Sequence, residues 1–164
     1  KEILVNGTRR KDDKFTVGLM DVLSIKETGQ HYRMLLDRNG KLRLVAVDSK
    51  ETSVKLCKVI GKRVLKKGKI QLSLHDGRSF LGTAEHSTGD SLVLELPKGE
   101  LKQHLKLEEG CQAYLTGGGN VGRTGVVEHI SGDKATIKIG DAVVEASKRF
   151  VFVIGKDKPV IKIG

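Results

Sequence analysis

The sequence predicts a mainly β protein assembled from small β-barrel domains, and three observations carry that prediction. Short runs in which apolar and polar residues alternate recur along the chain, the pattern of half-buried strands. Most of the twenty glycines among 164 residues fall at the ends of those runs or between them, where they supply turns. Only one helix signal is present, and it is short. Closing sheets into barrels removes exposed edges, so barrels are the expected architecture for this strand–turn rhythm.

Taken in order, "EILV" (2–5) and "LMDVLSI" (19–25) read as strands flanking a polar, basic loop, "NGTRRKDDK" (6–14). "HYRMLLD" (31–37) and "KLRLVAVD" (41–48) are joined through Arg38-Asn39-Gly40, where Asn-Gly marks a tight hairpin turn. Asp48 followed three residues later by Glu51 has the spacing of a capping box and predicts one short helix near 49–55. "VKLCKVIGKRVL" (54–65) and "KIQLSLHD" (69–76) form the next hairpin around Lys66-Lys67-Gly68, and Asp76-Gly77 turns the chain into "RSFLG" (78–82). "SLVLELP", "ELKQHLKL", "CQAYLT", "RTGVVEHIS", "KATIKIG", "AVVEASKRFVFVIG" and "KPVIKIG" complete the strand candidates. Polar "SIKETG" and "EEG" place boundaries near 26 and 108–110. Three units follow: 1–26, a central β domain over 27–109, and a C-terminal SH3-like barrel over 110–164.

The stretch "GGGNVGRT" (117–124) differs by one residue from the phosphate-cradling loop G-x-x-x-x-G-K-[ST], with arginine in place of lysine. That loop works only when a helix N-terminus follows it. Here Gly125-Val126-Val127 follows, which favours extended chain. A small NTPase is therefore the third-ranked reading. Apolar strand, glycine loop, Gly122-x-x-Gly125-Val126 and a second alternating strand up to Ile139 resemble a KOW motif instead. This is the strand–loop–strand element of SH3-like barrels in ribosomal proteins and transcription elongation factors. In such a motif the loop leans on nucleic acid. The resemblance assigns that contact to Gly118, Gly119, Asn120 and Arg123.

Charge points to a polyanionic partner. Thirty Lys and Arg stand against twenty Asp and Glu, a net +10. Residues 50–69 hold eight of these cations and one acid, so one hairpin carries most of the imbalance. Lys58, Lys62, Arg63, Lys66, Lys67 and Lys69 are its candidate phosphate contacts, and basic residues on both faces imply exposed strand ends or a bulge at Gly61. Arg9, Arg10 and Lys11 form a second cluster; Lys148, Arg149, Lys156 and Lys158, with Lys162, form a third. With aromatics at 4 % and no tryptophan, recognition through backbone and shape is expected rather than base stacking.

No metal, cofactor or catalytic constellation is expected. Five histidines show no H-x-x-x-H spacing, no G-x-S-x-G is present, and adjacent His75 and Asp76 would point to opposite faces of a strand. Cys57 and Cys111 lie far apart, which suits a reducing, cytoplasmic setting better than a disulfide framework. No stretch approaches the roughly 18 apolar residues of a membrane span.

In order, "EILVNG", "VGLMDVLSI", "YRMLLDRNGKLRL", "VKLCKVIGK", "LHDGRSF", "TGDSLVLELP", "YLTGGGNVGRTGVV" and "FVFVIGKDKPVI" resemble segments of the S4e family of ribosomal proteins, found in archaeal and eukaryotic small subunits. The resemblance covers nearly the whole chain. It implies the end of an S4-type RNA-binding domain, a central domain peculiar to the family and a KOW barrel. It also implies a cytoplasmic, non-enzymatic monomer within the ribosome, bound to small-subunit ribosomal RNA and neighbouring ribosomal proteins. The chain opens at Lys1, directly on a strand, and is read as a fragment lacking the helical part of the S4-type domain. The alternative carried by the KOW resemblance is a transcription elongation factor contacting RNA polymerase.

Overall fold

The computed structural model describes residues 2–163 and folds them into three five-stranded antiparallel sheets. In the first, β1 (Ile3–Val5) turns through Asn6 and Gly7 into β2 (Thr8–Arg10). Both turn residues have positive φ, 51° and 79°, as a two-residue hairpin of this twist requires. The segment expected as a loop thus begins with an edge strand. β1 also pairs with β3 (Val22–Ile25), which leads to β4 (Gln30–Leu36) and β5 (Leu42–Ala46). The boundary expected near residue 26 falls inside the β3–β4 hairpin, where Gly29 N–H closes the turn on Ile25 O at 3.0 Å. Polar "SIKETG" is a turn within one sheet.

The turn between β4 and β5 is built by Asp37, whose Oδ1 accepts from the Asn39 and Lys41 amides at 2.8 and 2.9 Å. Beyond β5, Ser49–Ser53 is a 3₁₀ turn instead of the α-helical turns expected near 49–55. The predicted capping box does not form. Asp48 makes no side-chain cap, and Glu51 Oε1 is taken by the Lys162 amide at 2.6 Å.

The second sheet comprises β6 (Val54–Val64), β7 (Ile70–Leu74), β8 (Ser79–Gly82), β9 (Ser91–Glu95) and β10 (Glu100–Leu105), in the order β10-β9-β6-β7-β8. The third comprises β11 (Gln112–Leu115), β12 (Thr124–Ser131), β13 (Lys134–Ile139), β14 (Ala142–Ser147) and β15 (Val151–Gly155), in the order β14-β13-β12-β11-β15. A 3₁₀ turn, Lys148–Phe150, divides what the sequence presents as one run into β14 and β15. Among the described residues, the segment after Lys158 contributes one bridge, Gly155 to Pro159, and buries Ile161.

One apolar core draws on all three sheets: Leu35 and Val45 from the first, Leu56, Val93 and Leu105 from the second, Tyr114, Val127, Ile137 and Phe152 from the third. Each such side chain contributes roughly 1.5–3 kcal/mol by leaving water. A smaller core of Cys57, Val59, Leu72, Leu74, Leu92 and Leu94 lies within the second sheet. β6 feeds both, because successive side chains of a strand point to opposite faces. Tyr114 latches the third sheet to the first: its hydroxyl accepts from Leu36 N–H at 2.8 Å and donates to Leu36 O at 3.0 Å. A buried ion network ties the β2–β3 loop to the second sheet, with Lys55 Nζ 2.6 Å from Asp21 and 2.9 Å from Asp76. Burial alone would raise both carboxyls, yet hydrogen bonds from Asn6 and Lys55 to Asp21, and from Lys55 to Asp76, hold them below the ordinary carboxylate range.

Candidate nucleic-acid interface

The β6–β7 hairpin carries the densest exposed charge. Its register shifts between Val59 and Gly61, the bulge that the mixed faces of the sequence imply. Beyond that shift Lys62, Arg63, Lys66, Lys67 and Lys69 are all exposed, Lys66 and Lys67 on a 3₁₀ turn where Lys67 has φ 64°. Lys62 donates to Ala84 O and Arg63 to Gln71 Oε1, each at 3.1 Å. Those partners orient the side chains without neutralising them. Among the described residues, none of the five pairs with a carboxylate.

Lys58 is a correction. Expected beside those cations on the surface, it is 7 % exposed and donates to Lys148 O and Arg149 O at 3.2 and 2.8 Å. It lies before the bulge, on the face of β6 that meets the third sheet. Burial, with the Lys148 ammonium nearby, pushes it down from 10.5 to about 8. Lys58 joins two sheets and is withdrawn from solvent-facing phosphate contact. Its carbonyl partners nevertheless bring the root of the hairpin to the Lys148–Arg149 cluster. There Lys148 is half-buried and Arg149 exposed, with the Arg149 guanidinium 4.6 Å from the Phe150 ring centre.

Phe150 in turn underlies the glycine loop. A Cβ on Gly117 would fall into its ring, and Thr116 N–H donates to Phe150 O at 2.9 Å. Gly122, with φ +80°, lets the loop approach the first sheet: a Cβ there would sit 2.6 Å from Asp37 O. Gly118 and Gly119 are exposed, Asn120 is half-buried and Arg123 is exposed. Thr124 then begins a strand, so the helix N-terminus that a mononucleotide loop needs is replaced by extended chain. Several glycines of this motif thus serve intramolecular approach.

The remaining clusters are scattered. Arg9 pairs with Glu2 at 3.0 Å, Arg10 lies 4.3 Å over Phe15, and Lys11 is exposed. Lys156 and Lys158 are exposed beyond β15. Two arginines escaped the sequence reading. Arg38 and Arg43, from the β4–β5 hairpin, line a cleft of about 410 Å³ together with Arg123. No local pattern links positions 85 residues apart; only the docking of Gly122 on Asp37 does.

His75 and Asp76 are structural. Lys58 N–H donates to His75 Nδ1 at 3.1 Å, leaving Nε2 to donate to Leu19 O at 3.1 Å, and burial holds the imidazole below its ordinary range. Asp76 faces Lys55 and Arg78. Among the described residues no group of three or more His, Cys, Asp or Glu is placed to hold a metal.

A family model described as ribosomal family S4e matches residues 28–101. Small ribosomal subunit protein eS4 of Korarchaeum cryptofilum is 42 % identical over 166 residues, covering 99 % of this chain and 71 % of that protein. Its counterpart in Methanothermobacter thermautotrophicus is 39 % identical over 170 residues, covering 99 % and 70 %. The crystal structure of 30S ribosomal protein S4e from Thermoplasma acidophilum superposes with a TM-score of 0.84 at 31 % identity, covering 94 % of this chain and 80 % of that one.

Proposed function

The chain belongs to ribosomal family S4e, and from that premise we propose that it is a structural constituent of the small ribosomal subunit that binds ribosomal RNA. The observation that carries the RNA contact is the outer β6–β7 hairpin, with five exposed cations and no carboxylate partner among the described residues. Such an array destabilises the isolated fold by self-repulsion and is relieved when phosphates replace its counterions. The glycine loop adds main-chain amides and Arg123, and Lys148 and Arg149 extend the basic surface from the hairpin root. Residues 110–164 act in this reading as a KOW-type unit, and neighbouring ribosomal proteins complete the chain's surroundings.

The test is the salt dependence of binding to small-subunit ribosomal RNA. Each phosphate neutralised contributes a log–log slope of roughly −0.7 to −0.9. Replacing Lys62, Arg63, Lys66 and Lys67 by alanine is expected to flatten the slope by about 3 if all four touch phosphates. An unchanged slope removes the hairpin from the interface. Capture of RNA polymerase, with no binding to ribosomal RNA, would move the chain to the elongation-factor reading.

A further inference from the structure

We propose that the seam between the first and third sheets is a phosphodiester clamp, in which Arg38, Arg43 and Arg123 together grip the backbone of the bound RNA. The proposal rests on the RNA-binding reading above and deepens it, joining Arg38 and Arg43 of the first sheet to the glycine-loop contact of Arg123.

The seam is built by close approach. Gly122 is seated on the Asp37 carbonyl, and a Cβ on Gly40 would lie 3.9 Å from the Val121 methyls. The tip of the glycine loop therefore rests on the β4–β5 turn, which carries Arg38 and precedes Arg43. Arg43 is held by carbonyls, Nε to Leu36 O at 3.4 Å and Nη2 to Ile163 O at 3.2 Å, and among the described residues it makes no salt bridge. Arg38 and Arg123 are exposed, and neither pairs with a carboxylate among the described residues. Asp37 is an acid in this neighbourhood: the Asn39 and Lys41 amides on its Oδ1 keep it ionised and its charge acts on Arg43, so one negative charge stands against three guanidinium groups. The cleft itself has no acidic lining, and Thr124 stands at its wall.

Three guanidinium groups facing one cleft repel one another unless an anion enters. A guanidinium fork matches phosphate oxygens two at a time, which an ammonium cannot do. The occupant is therefore a phosphodiester of the RNA backbone. An acidic polypeptide shares the charge and is the outcome the experiment must separate.

The full chain is titrated with an in-vitro-transcribed archaeal small-subunit ribosomal RNA over a range of KCl, as wild type and as the Arg38→Lys/Arg123→Lys double variant. Both side chains are exposed, so melting curves are expected to coincide; the single Arg38→Lys variant at the turn repeats the test. Charge is retained, so the salt slope is expected to stay while affinity falls roughly ten-fold as bidentate contacts are lost. Equal affinity of wild type and variant overturns the clamp while the RNA-binding reading stands. Absence of salt-dependent binding by the wild type defeats that reading itself. Polyglutamate of matched charge is expected not to compete. If it binds the wild type and loses affinity in the lysine variant, the seam serves an acidic protein and the RNA assignment fails.

Discussion

Replacing Tyr114 by phenylalanine isolates the latch between the first and third sheets. The ring stays buried in the shared core, and only the hydroxyl is removed. Two backbone groups then change partners. Leu36 N–H loses its acceptor at 2.8 Å and Leu36 O loses its donor at 3.0 Å. The carbonyl keeps a long contact from Arg43 Nε at 3.4 Å, so the amide bears most of the cost. A buried donor left without an acceptor costs about 1–3 kcal/mol, and the weakened carbonyl brings the expected loss to about 2–3 kcal/mol. Urea unfolding followed by far-UV circular dichroism suits a chain without tryptophan. With a slope of about 2 kcal/mol/M, the midpoint should fall by about 1–1.5 M. A fall below about 0.3 M would mean that water or a relaxed backbone replaces the hydroxyl, refuting its role as the latch.

Gly122→Ala should destabilise by about 2 kcal/mol or more, because its Cβ would meet Asp37 O at 2.6 Å on a backbone with φ +80°. Gly119→Ala should stay within about 0.5 kcal/mol, having open space around it; equal effects in thermal melts would refute the distinction. Lys58 provides a pH test. Its folded value of about 8 lies below the ordinary 10.5, so between those values the unfolded chain binds more protons and rising pH favours the folded state, by at most about 3 kcal/mol. Relative to Lys58→Met, the wild type should gain stability from pH 8 to 10.5 in urea titrations, and a constant difference would contradict the burial described.

Much of the fold was legible because β signals are local. The alternation in residues 54–65 and 69–76 and the bulge at Gly61 follow from neighbours in sequence. What escaped depends on tertiary partners. The spacing of Asp48 and Glu51 is that of a capping box, but Glu51 is claimed by Lys162, 111 residues away. Polar residues around 26 read as a boundary because a hairpin turn and a linker share composition. Lys58 looked like its exposed neighbours; only the fold shows that its face of β6 meets the third sheet. Of the glycine loop, the extended chain after Thr124 was readable from Gly125 and Val126. The arginines at 38 and 43 were not, since nothing local joins them to 123.

The apolar interior common to all three sheets has a mechanical consequence. Removing residues after 110 would strip the cover from Leu35 and Leu36 as well as deleting five strands. None of the three layers can therefore swing away without opening the same oily centre to water. A body joined in that way holds its surface points at constant separation. If RNA binds at both proposed places, the hairpin tip and the arginine seam, the protein would space the two contacts as a ruler does.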